Sequence, residues 1–197
     1  MKQKVLIIVD AQEDFCGKDG ALTSNKCYKT ALKLAKYLTK HATEYDKIIC
    51  TLDTHFDNYT NTHEGKILPV VHCIDGTDGH KLQANVDEAL KIKDNYIHDY
   101  LENVYFAKKE QFGFDKWYEL FEDAGINFVN GGNEVEYYLC GFCTDICVVS
   151  NAMILRAIQP ESDIYIIRNL TAGTTQSNTN AALKTMQSCH MNVVKRG

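Results

Sequence analysis

The stretch YYLCGFCTDICVVSNAMIL, Tyr137 to Leu155, carries three of the eight cysteines of this 197-residue chain: Cys140, Cys143 and Cys147. It begins like a buried strand and ends like a helix. Thr144-Asp145 stands where a helix should start, which puts Cys147 in its first turn. Helix N-termini carry unpaired N–H groups and a partial positive charge that stabilise a thiolate. The same N–H groups can hold an oxyanion. The plainer reading is a buried thiol on an apolar helix face, beside Val148, Val149 and Met153. A redox pair or half a zinc site at Cys140-x-x-Cys143 is a rival. No second CxxC or HxxxH completes a structural zinc site. A redox CxxC opens a helix, whereas Cys140 falls inside the strand.

A second group of chemical residues lies upstream. Asp53 and His55 sit two residues apart at the end of an apolar run, and His72 follows in the same loop region. One carboxylate and two imidazoles suit zinc, iron or manganese, with positions left open for water or substrate. Taken alone, such residues can also be loop polars that cap one another.

These side chains need a frame. Val5–Val9 is a short β-branched run, the pattern of a buried parallel strand. Residues 25–45 carry Ala31, Leu34, Ala35 and Leu38 on one helical face. Lys47–Asp53 reads as a second strand. Residues 54–94 read as a long loop region with a short helix at Val86–Leu90. NYIHDY (residues 95–100) and NVYFAK (103–108) are strand material, and Phe114–Ala124 is a predicted helix. Either INFVN (126–130) or EVEYYLCG (134–141) supplies the next strand. Thr144–Ile158 follows as a helix, Ser162–Asn169 as a strand, Asn178–Cys189 as a helix and Met191–Arg196 as a last strand. Alternating strands and helices imply one α/β domain, residues 1–197, with a mostly parallel sheet and helices on both faces. Ligands in such folds gather at the carboxyl ends of the strands. Asp10 follows the first strand, Asp53 and His55 the second, and Cys143 and Cys147 the fourth.

Composition narrows the classes. The net charge is -5 and no basic stripe with interleaved aromatics is present, so nucleic acid is not an expected partner. No apolar run approaches the roughly 20 residues that cross a bilayer. The apolar run in MKQKVLIIVDAQEDF ends at Asp10, too soon for a signal peptide, so a cytoplasmic protein is expected. In a reducing cytosol Cys27, Cys50, Cys73, Cys140 and Cys189 are expected as free, buried packing thiols.

Five segments in order, VDAQEDF, TLDTH, LPVVHCIDGTDG, KKEQFGF and CGFCTDICV, resemble the isochorismatase-like cysteine hydrolases, most closely the nicotinamidases among them. The resemblance implies a six-stranded parallel sheet in a three-layer sandwich. It implies a catalytic triad of Asp10, Lys109 and Cys147, with Lys108 as the adjacent alternative to Lys109. The backbone N–H groups of Cys143 and Cys147 would form an oxyanion hole, with a cis peptide at Phe142–Cys143. A divalent metal, zinc first and iron or manganese next, would be held by Asp53, His55, Glu64 and His72, with His63 as the substitute for Glu64. Phe15 and Phe112 are candidate walls of a ring pocket, or core residues. The implied reaction is hydrolysis of nicotinamide to nicotinate and ammonia through a Cys147 thioester, a step of NAD salvage. The alternative is a related hydrolase acting on another small amide or carbamoyl compound. Hydrolysis of a vinyl ether needs neither thiol nor metal, and a binding protein that had lost catalysis would not need Asp10, Lys109 and Cys147 intact. Family members often form homo-oligomers, so self-association is a further expectation.

Overall fold

The computed structural model describes residues 2–91, 99–128 and 133–196. Six strands make one sheet: β1 Gln3–Val9, β2 Lys47–Asp53, β3 Val104–Lys109, β4 Val135–Phe142, β5 Asp163–Ala172 and β6 Asn192–Val194. Their spatial order is β3-β2-β1-β4-β5-β6, and every neighbouring pair is parallel. The helices are α1 Glu13–Cys16, α2 Asn25–His41, α3 His63–Ile67, α4 Ala84–Ala89, α5 Trp117–Asp123, α6 Val149–Ile158 and α7 Gln176–Ser188.

The run Val5–Val9 is apolar throughout because β1 is covered on both faces. Leu6 and Ile8 pack with Leu34 and Leu38 of α2 and Val86 of α4. Val5, Ile7 and Val9 pack with Trp117 and Phe121 of α5, Leu155 of α6 and Met186 of α7. All five β1 residues are fully buried, and each such side chain stabilises the fold by about 2 kcal/mol. The result is helix, sheet and helix in three layers. Ser24 caps α2 by accepting the Cys27 N–H, and Lys40 stands in its last turn, where its charge suits the helix dipole.

Several boundaries differ from the sequence-based expectation. EVEYYLCG is the strand β4; Ile126–Phe128 is not strand, and the rest of INFVN lies outside the described residues. Most of NYIHDY also lies outside them. The expected helix Thr144–Ile158 opens instead with a π-helical turn, Thr144–Val148, before α6. α5, Trp117–Asp123, is shorter than 114–124, and Phe114 N–H is bonded to Asn151 Oδ1 ahead of it. β5 runs past Asn169 to Ala172 because its register against β4 shifts between Leu139 and Gly141. Residues 54–83 are more ordered than a plain loop, with α3 and a 3-10 turn at Tyr59–Asn61.

From β1 the chain builds outward to β2 and β3, and from β4 outward to β5 and β6. The adjacent pair β1 and β4 is therefore the switch point at which ligands are expected in such sheets. Asp10 leaves one of these strands and Cys143 the other. The strands come close here: a Cβ on Gly141, at φ +113°, would lie 2.0 Å from Val9 O, so only glycine fits.

Candidate active site

Asp10 ends β1 with φ +46°, a left-handed conformation that aspartate tolerates better than most residues. Its N–H donates to Thr51 O at 3.1 Å, and Thr51 Oγ1 donates back to Asp10 Oδ1 at 2.6 Å. The backbone turn and the carboxylate are thus both fixed from β2. Lys109, the last residue of β3, reaches over β2. Its Nζ lies 2.7 Å from Asp10 Oδ2, 3.0 Å from Asp53 Oδ1 and 3.9 Å from Cys147 Sγ. Asp10, Lys109 and Cys147 are all buried. Lys108 alternates to the outer face of β3 and pairs with Asp75 at 2.6 Å, so only Lys109 joins this cluster.

Two carboxylates share one ammonium here, and the titration of each group follows. Burial and the charge of Asp53 push the Asp10 carboxyl up, against the pull of Lys109. Burial would raise Asp53 too, but the close approach of His55 and His72 and the charge of Lys109 hold it well below the usual carboxylate range. Burial would lower Lys109, but the carboxylates of Asp10 and Asp53 raise it, so it stays an ammonium. Burial and the nearby Asp10 raise the Cys147 thiol well above its ordinary value. The resting pair is a neutral thiol beside a carboxylate with raised proton affinity.

Cys147 sits in the π-helical turn that follows β4. The peptide Phe142–Cys143 is cis. The Cys143 carbonyl accepts from the N–H groups of Ile146 and Val148, both at 3.1 Å, and neither bond uses the Cys147 N–H. Asn151, one helical turn on and fully buried, clamps this turn. Its Nδ2 donates to Cys147 O at 2.8 Å and to Phe112 O at 3.2 Å, and its Oδ1 accepts from Phe114 N–H at 2.8 Å. Asn151→Leu removes these three hydrogen bonds, each worth about 0.5–1.5 kcal/mol net. The expected result in urea denaturation is a loss of roughly 2–4 kcal/mol; a change below about 0.5 kcal/mol, the scale of ordinary surface substitutions, would deny the clamp.

The second cluster lies at the end of β2. His55 Nε2 is 3.0 Å and His72 Nε2 3.5 Å from Asp53 Oδ2. Glu64 faces both rings from α3, at 4.0 Å from His55 Nε2 and 3.7 Å from His72 Nε2. His63 is exposed and makes none of these contacts. His72 Nδ1 lies 2.7 Å from Val70 O, which requires the proton on Nδ1 and leaves the Nε2 lone pair facing the cluster. His55 Nε2 is buried with no hydrogen-bond partner. The ligand atoms of Asp53, His55 and His72 lie within 4.8 Å of one another, with Glu64 facing both imidazoles, a donor set that fits a divalent cation.

Supporting residues went unread in the sequence. Gln12 Oε1 accepts from Asp53 N–H and Gln12 Nε2 donates to Asp53 O, both at 2.8 Å, so it fixes the backbone that carries the Asp53 carboxylate. Asp14 Oδ2 accepts from Cys73 N–H at 2.7 Å and anchors the loop carrying His72. Both lie inside VDAQEDF, and that spacing was their only signal. Tyr59, fully buried, packs on the rings of His55 and His72. Phe15 is buried edge-on against His72, whereas Phe112 is 45% exposed.

Comparison with known proteins bears on this arrangement. The family model of the isochorismatase domain matches residues 4–196. A nicotinamidase/pyrazinamidase of Mycobacterium tuberculosis is 27% identical over 199 aligned residues, covering 97% of this chain and 98% of that protein. The crystal structure of the nicotinamidase/pyrazinamidase of Bacillus subtilis superposes with a TM-score of 0.79 at 22% identity, over 98% of this chain and 100% of that one. The pyrazinamidase of Pyrococcus horikoshii, solved in complex with zinc, superposes with a TM-score of 0.74 at 22% identity, over 98% and 99% of the two chains. Among the described residues no helix is long and apolar enough to cross a membrane. With a family match running through all six strands and both clusters, the chain belongs to the isochorismatase domain family and is a nicotinamidase-like hydrolase.

Proposed function

We propose that this enzyme hydrolyses nicotinamide to nicotinate and ammonia, using a Cys147 thioester and a divalent metal, zinc first, held by Asp53, His55, Glu64 and His72. The single observation that carries the reading is the buried contact of Lys109 with Asp10, Asp53 and Cys147. It ties a nucleophile and its base to the carboxylate of the metal cluster.

The steps follow from the groups present. The Cys147 thiol gives its proton to Asp10, whose raised proton affinity suits a general base. The sulfur attacks the amide carbonyl, and the backbone N–H groups of Cys143 and Cys147 face the developing oxyanion. The carbon–nitrogen bond breaks as Asp10 returns the proton to the leaving ammonia. Water then attacks the thioester, giving its proton to Asp10; the acid departs and the thiol is restored. Lys109 stays protonated throughout, holding the Asp10 carboxylate and balancing its charge. When bound, the ion supplies Lewis acidity toward a ring nitrogen or a water. Phe15 and Phe112 are the proposed ring walls. Lys109 Nζ contacts the Cys147 sulfur, at 3.9 Å, so Cys143 serves through its backbone rather than its sulfur. Eight free cysteines suit a reducing cytoplasm, where nicotinate feeds NAD salvage.

Asp10→Asn tests the base. General-base assistance is worth about 10²–10⁴-fold, so alkylation of Cys147 by iodoacetamide is expected to slow by at least about tenfold with metal content unchanged. An unchanged alkylation rate would remove Asp10 from that role.

A further inference from the structure

A basic cleft away from both clusters has no part in the proposed hydrolysis. Lys26, Lys29 and Lys33 project from one face of α2 and, with Arg168 of β5, line an open cleft of about 380 Å3. That volume lies within the range of small-molecule sites. Two buried hydroxyl residues, Thr30 and Thr171, and the amides Asn25 and Asn169 complete the polar lining.

The charge here is not a reflection of composition, since the chain as a whole carries -5. No carboxylate lines the cleft, and among the described residues none of the four cations forms an ion pair. Lys26 Nζ meets only a neutral acceptor, Gln176 Oε1, at 3.1 Å. Lysines spaced three and four residues apart on one helix face repel one another. α2 has no acidic residue in its first turn, where the helix dipole already disfavours a cation. Like charges concentrated at a concave surface attract an anion of matching density. A guanidinium offers paired N–H donors to phosphate oxygens, and lysines add point charges around them. Four cations around one small cleft match two linked phosphates better than a single carboxylate. Lys36 and Lys40 continue the lysine row along α2 beyond this cleft, but Lys36 lines a second cleft that also holds Glu88, so the cations with no carboxylate beside them are those gathered with Arg168.

We propose that this cleft binds a small molecule carrying a diphosphate group. The inference is independent of the hydrolytic reading. The test is calorimetric titration of the metal-loaded protein with adenosine diphosphate, inorganic diphosphate and adenosine at constant ionic strength. Adenosine diphosphate is expected to bind, adenosine is not, and Lys29→Ala/Arg168→Ala is expected to weaken the diphosphate ligand at least about tenfold, with Arg168→Gln alone showing a smaller loss. These side chains are exposed, and an unchanged urea midpoint would verify folding. Equal binding of inorganic diphosphate would identify the diphosphate alone as the ligand, and tighter binding of the nucleotide would add a base-bearing partner; either supports the cleft. No heat from either diphosphate would overturn the proposal. So would binding that survives both variants, because the anion would then sit at the metal cluster.

Discussion

Cys147→Ala leaves a folded protein that no longer turns over amide. The expected loss is about 10⁴-fold or more, the scale seen when a nucleophile is removed from a site whose groups act as a unit. Three features of the geometry support so large an effect. The thiol is buried at 5% exposure, so bulk water cannot replace it as an equally placed nucleophile. Asp10 and Lys109 are built around it and lose their reacting partner. Among the other thiols, Cys143 is the nearest in sequence, but its sulfur belongs to a residue with a different backbone position, and it is Cys147 Sγ that Lys109 Nζ contacts. Removing one sulfur atom costs the core little, about 1 kcal/mol, so far-ultraviolet circular dichroism should be unchanged. The paired measurement is turnover against the urea midpoint. Activity within tenfold of the parent in a folded variant would mean that the carbonyl is attacked by something other than Cys147.

The second large effect concerns the metal cluster. His72→Ala is expected to leave purified protein with no stoichiometric divalent ion and to lower turnover by more than about 10²-fold, beyond the 10–100-fold typical of outer-shell changes. His72 is the better choice than Asp53, which also touches Lys109 at 3.0 Å and would disturb both clusters at once. Removing His72 deletes one imidazole donor and leaves the Asp10–Lys109 contact in place. His63→Ala, an exposed position outside the cluster, serves as the control and should keep its ion. Elemental analysis of gel-filtered protein reads both. Full occupancy in His72→Ala would move the metal elsewhere.

Much of this was legible from pattern alone. The apolar run of β1, the run of β2 ending in Asp53-Thr54-His55 and the thiol-bearing end of β4 all marked strand ends, and parallel packing brings strand ends to one edge. The choice between Lys108 and Lys109 was open in the sequence, yet strand alternation decides it: Ala107 and Lys109 share the buried face, and Lys108 lies on the other. What pattern could not reveal was set by tertiary contacts. The π turn at Thr144–Val148 rests on one carbonyl, Cys143 O, accepting two N–H groups, which no propensity encodes. The register shift that extends β5 depends on pairing with β4. Asn151 looks like an ordinary helix polar residue until its three partners, drawn from two segments, are in place. The position of Glu64 came from spacing within a family, and its approach to both imidazoles depends on α3, a helix too short to read from periodicity.

The most direct measurement is ammonia release from nicotinamide by the metal-loaded protein, beside a chelator-treated sample that is then reloaded with zinc. The expected result is steady release that falls away with the chelator and returns with the metal, while Cys147→Ala releases none. A folded, metal-loaded enzyme that frees no ammonia from nicotinamide, yet does so from another small amide, would contradict nicotinamide as the substrate.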